Sequence, residues 1–320
     1  MKIGGGSLRD KIRIGLVGIG KIARDQHVPA LAADADFALA CGASRHATLD
    51  GIPSYSDIDE MLASGHALNA VSICTPPHGR FEIARAAINA GLHVMLEKPP
   101  GATVAEVVDL AERAAAAGVT LFATWHSREA AGVDAARAWL TDKLVHAVWI
   151  DWREDIRVWH PGQDWILEAG GFGVFDPGIN ALSIATHILP ETLIVEEAGL
   201  GVPTGRGAPL KAVLDLRHGN AKVRAEFDFL QTGKQSWDIS VNTDCGMLLL
   251  REGGKRLLIE GQEQACTGPG EYPRLYRRFA DLIAARESDV DLRPLQLVAD
   301  AFLLGSRTVL PRFDWSGEGE

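Results

Sequence analysis

From Ile12 to about Thr124, short apolar runs alternate with segments of helical period. IRIGLVG (12–18), FALACGA (37–43), AVSICTP (70–76), LHVMLEK (92–98) and VTLFATW (119–125) predict strands. Helical patterns at 21–33, 56–64, 79–90 and the alanine-rich 103–117 separate them. A strand buried on both faces reads as a near-continuous apolar run, and each crossover helix covers one face. The alternation therefore predicts βαβ units, a parallel sheet with helices on both sides.

Beyond about residue 145 the period shortens to two. HAVWIDWRED (146–155), LKAVLDLRHG (210–219), AKVRAEFDFLQ (221–231) and SWDISVNTDCGMLLLREGG (236–254) alternate apolar and polar positions. The turn His218-Gly219-Asn220 suits a hairpin. These runs predict an antiparallel sheet with one solvated face. PLQLVADAFLLGSRTV (294–309) predicts a last helix, apolar on more than one face and packed between the two halves. The fold class is α/β: a Rossmann domain over 1–126, then an α+β domain over 127–320 with an open, mostly antiparallel sheet. The length of 320 residues agrees, because single cores stop growing at roughly 250–300. There is no repeat, low-complexity tract or long linker.

Composition narrows the class. The chain is 47% hydrophobic and 23% charged, a globular balance, and its net charge is −10. That argues against a nucleic-acid or anionic-membrane partner, although an acidic protein can still hold a local basic pocket. No apolar run approaches the roughly 20 residues of a membrane helix. The first ten residues read as a loose polar lead-in, and MKIGGGSLRDK has no apolar core of a secretory signal. Cys41, Cys74, Cys245 and Cys266 form no CxxC pair. They read as free thiols of a cytoplasmic protein.

GLVGIGKIA places Gly18, Gly20 and Ala23 in a GxGxxA pattern directly after a strand and before a helix. Gly18 permits the tight turn, Gly20 lets a pyrophosphate approach the backbone, and Ala23 allows close packing. Lys21 and Ile22 complete the loop. In this context the pattern predicts dinucleotide binding. An NAD enzyme usually carries a carboxylate near the end of the second strand. Here that end reads Ser44-Arg45-His46, with no carboxylate between Asp36 and Asp50. Ser44 and Arg45 suit a 2′-phosphate, so NADP is the preferred cofactor and NAD remains possible.

Glu97-Lys98-Pro99-Pro100 ends the fourth strand, and Thr75-Pro76-Pro77-His78 forms a similar rigid rim after the third. Prolines fix the backbone on which Lys98 stands. GxGxxA, the TPPH rim and EKP together resemble the Gfo/Idh/MocA oxidoreductases. The resemblance covers nearly the whole chain. It implies that Lys98 lies near the nicotinamide and the reacting carbon. It also implies a homodimer or homotetramer formed through the C-terminal sheet. The family's DxGxH motif is matched by Asp176-Pro177-Gly178-Ile179-Asn180, with Asn180 in place of the histidine. Asp176 is read as a carboxylate for the sugar hydroxyl proton or as a helix N-cap, and the two can coexist.

WREDIRVWHPGQDWI followed by GVFDPGINALSIATHILP resembles the aldose 1-dehydrogenase group of that family, of D-galactose and L-arabinose type. The resemblance implies that Glu154, His160, Asp176 and Asn180 contact a pyranose. Trp152, Trp159 and His126 join the candidate substrate residues. Trp149 and Trp152 also read as core, Trp125 as a strand closure, and His126 as a packing residue.

The ten histidines show no HxxxH or HxH pair, and there is no GxSxG elbow. No metal is expected. The implied reaction is hydride removal from C1 of a free aldose to give a lactone, with Lys98 and Asp176 bracketing the anomeric hydroxyl. Oxidation of another ring hydroxyl or of an inositol is the first alternative. An NAD-assisted glycosidase and a non-catalytic NADP-sensing regulator are the others.

Overall fold

The computed structural model describes residues 11–316; the polar lead-in lies outside them. The chain forms two compact units. Among the described residues the first comprises 11–101, Ala105–Thr124 and Tyr272–Val290. The second comprises Ala102–Val104, Trp125–Glu271 and 291–316.

The first unit holds six parallel strands: β1 (Ile12–Val17), β2 (Phe37–Ala43), β3 (Ser54–Tyr55), β4 (Ala70–Ile73), β5 (His93–Leu96) and β6 (Leu121–Ala123). Their order is β3-β2-β1-β4-β5-β6. Between them run α1 (Val28–Ala33), α2 (Ile58–Ala63), α3 (Arg80–Asn89) and α4 (Val104–Ala117). One turn of π-helix, Ala23–His27, leads into α1. The expected parallel sheet is thus present.

In the second unit α5 (Val133–Leu140), α6 (Ile156–Trp159) and α7 (Phe175–Ile188) accompany a nine-stranded sheet. Its strands are β7 (Val145–Arg153), β8 (Leu193–Pro203), β9 (Lys211–His218), β10 (Ala221–Asp228), β11 (Ser236–Thr243), β12 (Gly246–Arg251), β13 (Arg256–Ile259), β14 (Gln262–Gln264) and β15 (Gly305–Leu310). Two pairs, β7–β10 and β8–β15, are parallel and the others antiparallel. The β9–β10 hairpin turns where expected, with His218 paired to Ala221 and Gly219 at φ +55°. Val148, Ile150 and Trp152 of β7 are buried, whereas Trp149 on the other face is 47% exposed.

Two expectations need correction. The single cut at 126/127 fails because α8 (Glu271–Ala285) returns to the first unit. Tyr272, Leu275, Tyr276, Phe279 and Leu282 form one apolar stripe, buried with Ile14, Phe37, Met95 and Phe122. The helix expected at 294–309 stops early: α9 is Arg293–Leu304, and 305–310 is strand β15. Within the second unit α9 packs on α7 and β8. At Gly305 a Cβ would stand 2.7 Å from Leu200, a contact in which the helix gives way to β15 beside β8. Leu303 on its outer side is 82% exposed.

Candidate active site

Gly18 has φ +90°, and a Cβ there would lie 2.7 Å from the Thr75 amide nitrogen. Only glycine lets the β1 turn press against the β4 rim. At Gly20 a Cβ would meet nothing within 4 Å, so its backbone faces open space. Ala23 is buried with Leu16, Ile19 and Leu49. Lys21 is exposed and pairs with Asp25, and Ile22 is 37% exposed. The Thr75 hydroxyl oxygen is buried without a hydrogen-bond partner. Approachable backbone at Gly20 and an unspent hydroxyl at Thr75 fit a dinucleotide lying over this edge. Pro77 is buried, while Pro76 and His78 are exposed on the same rim. Ser44 is half-buried, with its amide donating to the Tyr55 carbonyl at 2.9 Å. Arg45 and His46 beside it are exposed.

Lys98 follows β5 on a backbone held from both sides. Its amide donates to Glu97 Oε2 at 3.0 Å. The guanidinium of Arg80, itself 2% exposed, donates to the carbonyls of Glu97, Pro99 and Thr75. One buried cation thus ties the TPPH rim to the EKP turn. Glu97 Oε1 accepts the Tyr272 hydroxyl at 2.8 Å and lies 3.1 Å from His27 Nε2. His27 Nδ1 meets the Tyr276 hydroxyl at 2.7 Å and Ser72 Oγ at 3.3 Å. Burial opposes a charge on His27, but Cys74, Tyr276 and Glu97 favour it, and the balance lifts the imidazole well above its ordinary range.

In the second unit Glu154 extends the buried face of β7 by one alternation after Trp152. Its amide donates to the Asp228 carbonyl at 2.9 Å, and its Oε2 accepts Trp237 Nε1 at 2.8 Å. Its Oε1 stands 3.7 Å from His160 Nε2, and Asp176 Oδ2 approaches the same nitrogen at 3.7 Å. An imidazole is thus flanked by two carboxylates, on residues only 6% and 5% exposed. His160 also meets the Phe229 ring edge-on, with centroids 5.5 Å apart. Trp159 crosses Trp237 at 5.6 Å and donates to Gln235 Oε1 at 2.6 Å.

Close backbone packing aims Asp176. Gly173 has φ +54°, and a Cβ there would lie 2.1 Å from the Pro209 carbonyl oxygen. At Gly178 a Cβ would stand 3.0 Å from the Phe227 ring. Asp176 is not the N-cap of α7; that place is Val174, and Asp176 sits inside the first turn. Asn180 follows one turn later, half-buried. Trp152 lies in the sheet between Phe227 and Trp237 on neighbouring strands. His126 Nδ1 is 2.6 Å from Glu271, and Trp125 donates to the Asp291 carbonyl at 3.0 Å. Among the described residues no cluster of His, Cys, Asp and Glu suits a metal ion, and no disulfide links the four cysteines.

Trp237, Gln235, Arg80, His27 and Tyr272 were not singled out by the sequence. Trp237 reaches Glu154 across 83 positions, and Tyr272 reaches Glu97 across 175. No local pattern announces such pairs. Strand alternation alone does place Trp237 on the face of Ile239 and Val241.

Residues 12–124 match the Gfo/Idh/MocA oxidoreductase family, NAD-binding Rossmann fold. The galactose 1-dehydrogenase of Pseudomonas fluorescens is 44% identical over 315 residues, covering 94% of this chain and 98% of that one. The crystal structure of a D-galactose-1-dehydrogenase from Rhizobium etli superposes with TM-score 0.91 at 51% identity, covering 96% of this chain and 99% of that one. A 3-ketoreductase from Actinomadura kijaniata, solved with NADP and TDP-benzene, shares the fold with TM-score 0.82 at 17% identity, covering 94% of this chain and 100% of that one. The chain belongs to the Gfo/Idh/MocA oxidoreductase family, and its first unit is an NAD(P)-binding Rossmann fold.

Proposed function

We propose that this family member oxidises C1 of a free pyranose of the D-galactose, L-arabinose or D-fucose type, releasing the sugar lactone. The row Glu154–His160–Asp176, walled by Trp159 and Trp237, carries the reading. Carboxylates and an imidazole suit sugar hydroxyls, and indole faces suit the apolar C–H surface of a pyranose. The likeness to two galactose 1-dehydrogenases along nearly their whole length supports it.

Bound NAD(P)⁺ supplies the hydride acceptor. Gly18, Gly20, Lys21, Ile22, Ala23, Thr75, Pro76, Pro77, His78 and Glu97 line its place. Ser44, Arg45 and His46 favour NADP, because no carboxylate lies among them to repel a 2′-phosphate. As C1–H leaves as hydride, the O1 proton must pass to a base and C1–O1 becomes the carbonyl. Asp176 and Lys98 are the two groups assigned to that proton. Such general-base help is typically worth about 10²–10⁴-fold. Asn180, Glu154 and His160 select hydroxyl stereochemistry, with Trp152 and His126 completing the surround. D-Galactose, L-arabinose and D-fucose share their arrangement at C2 to C4, so one binding row serves all three.

The solvent face of the nine-stranded sheet suits a homodimer or a homotetramer. It offers Trp149 and Met247, 47% and 51% exposed, among paired charges such as Arg153–Glu226 and Arg224–Asp215. No helix among the described residues is long and apolar enough to cross a membrane, and the free thiols suit the cytoplasm.

The test is a panel of free aldoses with NADP⁺ and NAD⁺, read by the near-ultraviolet absorbance of the reduced nicotinamide. Reduction with D-galactose or L-arabinose is expected. No reduction with any of the three sugars overturns the reading.

A further inference from the structure

The segment 156–167 has little secondary structure of its own. Helix α6 is a single turn of four residues, Ile156–Trp159, and a second short turn, Asp164–Leu167, follows. One helical turn does not hold itself in water, because nucleation is unfavourable and propagation never begins. Yet this segment presents Trp159 and His160. Its order must come from outside.

One outside support is the last stretch of the described chain. The Arg157 guanidinium lies over the Phe313 ring at 4.8 Å and donates to the Asp314 carbonyl at 3.0 Å. Phe313 is only 8% exposed, so it is seated rather than draped. Trp315 packs edge-on against Phe313 at 5.1 Å and donates to Asp164 Oδ1 at 3.0 Å. Arg206 binds the same Asp164 oxygen at 2.8 Å and also pairs with Glu168. The bonds from Trp315 and Arg206 hold the Asp164 carboxyl below its usual range. The tail grips the segment at both ends, one grip before His160 and one after. Upstream, the Thr204 amide and hydroxyl both bond the Leu310 carbonyl. The tail therefore leaves β15 from a fixed point.

We propose that Phe313 and Trp315 are positioning residues for the substrate, acting through α6 and Asp164 to hold Trp159 and His160 in place. Neither residue hydrogen-bonds to or ring-stacks with the carboxylate–imidazole row. They stand beyond β15 and outside every strand, where substitution disturbs no β-ladder. The tail is thus a place where sugar affinity is adjusted without altering Glu154 or Asp176. The effect on substrate rests on the aldose reading; the ordering of the segment does not.

Two measurements separate these. Hydrogen exchange of amides 156–167 is compared between the parent, a chain ending at Arg312, Trp315→Phe and Phe313→Tyr. In the same proteins KM and kcat are measured for D-galactose or L-arabinose and KM for the cofactor. Loss of one cation–π contact and two hydrogen bonds predicts roughly five- to tenfold faster exchange in the shortened chain. The sugar KM should rise by a similar factor, roughly five- to tenfold, with kcat and cofactor KM within about twofold. Trp315→Phe loses only the indole N–H and should move both by roughly two- to threefold. Phe313→Tyr keeps the ring and should behave as the parent. Unchanged exchange in both the shortened chain and Trp315→Phe overturns the proposal, as does faster exchange with an unmoved sugar KM. If the parent turns over no aldose, the aldose reading has failed, and exchange alone decides whether the tail orders the segment.

Discussion

Glu97 holds Lys98 by the backbone: its Oε2 accepts the Lys98 N–H at 3.0 Å. Its other oxygen is occupied by Tyr272 and His27, which come from α8 and from the π-turn before α1. The lysine's place is therefore set by two distant parts of the first unit. Glu97→Gln keeps the size and loses the charge. Small misplacement of a reacting group can cost about a hundredfold, so kcat should fall roughly ten- to a hundredfold, with cofactor affinity falling much less. Tyr272→Phe should cost only about three- to fivefold. Steady-state kinetics and a cofactor titration check both. An unchanged kcat in Glu97→Gln would detach the buried carboxylate from catalysis.

Lys98→Ala should reduce turnover of the aldose by about 10²–10⁴-fold while cofactor binding persists. Asp176→Asn should fall in the same range. If only one collapses, that residue takes the proton. If neither does, the assignment of both is wrong.

Ser44→Asp tests the cofactor preference. A carboxylate beside a 2′-phosphate is a like-charge pair costing several kcal/mol, so NADP affinity should drop by about tenfold or more while NAD affinity holds or rises. Parallel titrations with the two cofactors read it out. An unmoved NADP preference rejects the role given to Ser44.

Gly173→Ala puts a methyl group where the Pro209 carbonyl oxygen stands 2.1 Å away, at φ +54°. A loss of at least about 2 kcal/mol in folding stability is expected, measured as a denaturant midpoint. Activity should fall too, because the turn aims Asp176.

Burial, with the charges of Arg128 and Arg137, pushes the His187 imidazole down to about 4 against the opposing pull of Asp134. The unfolded chain binds a proton near the ordinary imidazole value of 6.5, and the folded one does so only near 4. The unfolded state therefore holds more protons between those values, and folding stability falls as pH drops through that window. The full effect approaches about 3 kcal/mol at the acid end. His187→Asn should flatten the dependence of thermal midpoint on pH between 6.5 and 4. An equally steep profile in the variant would place the acid sensitivity elsewhere.

Much of this protein is local and so was legible in its sequence. Burial on both faces leaves continuous apolar runs, which gave the parallel sheet. A half-solvated sheet leaves alternation, which gave β7, β9, β10 and β11. Gly18, Gly20 and Lys98 stand out as candidates because the motifs that carry them span only a few neighbouring residues. What stayed hidden depends on pairs far apart in the chain. The apolar stripe of α8 says that it must pack but not on which unit, and only the assembled core sends it to Phe37 and Met95. In the 294–309 stretch helical propensity runs past Gly305, and only pairing with β8 turns the remainder into strand. Glu154, His160 and Asp176 could be named from their types and their resemblance. That two carboxylates flank one imidazole, with Trp237 holding the first and the tail from Phe313 to Trp315 gripping the intervening segment, was decided by tertiary structure alone. Side-chain chemistry is written residue by residue, but a site is a set of distances, and the folded chain fixes distances only through contacts made across its whole length.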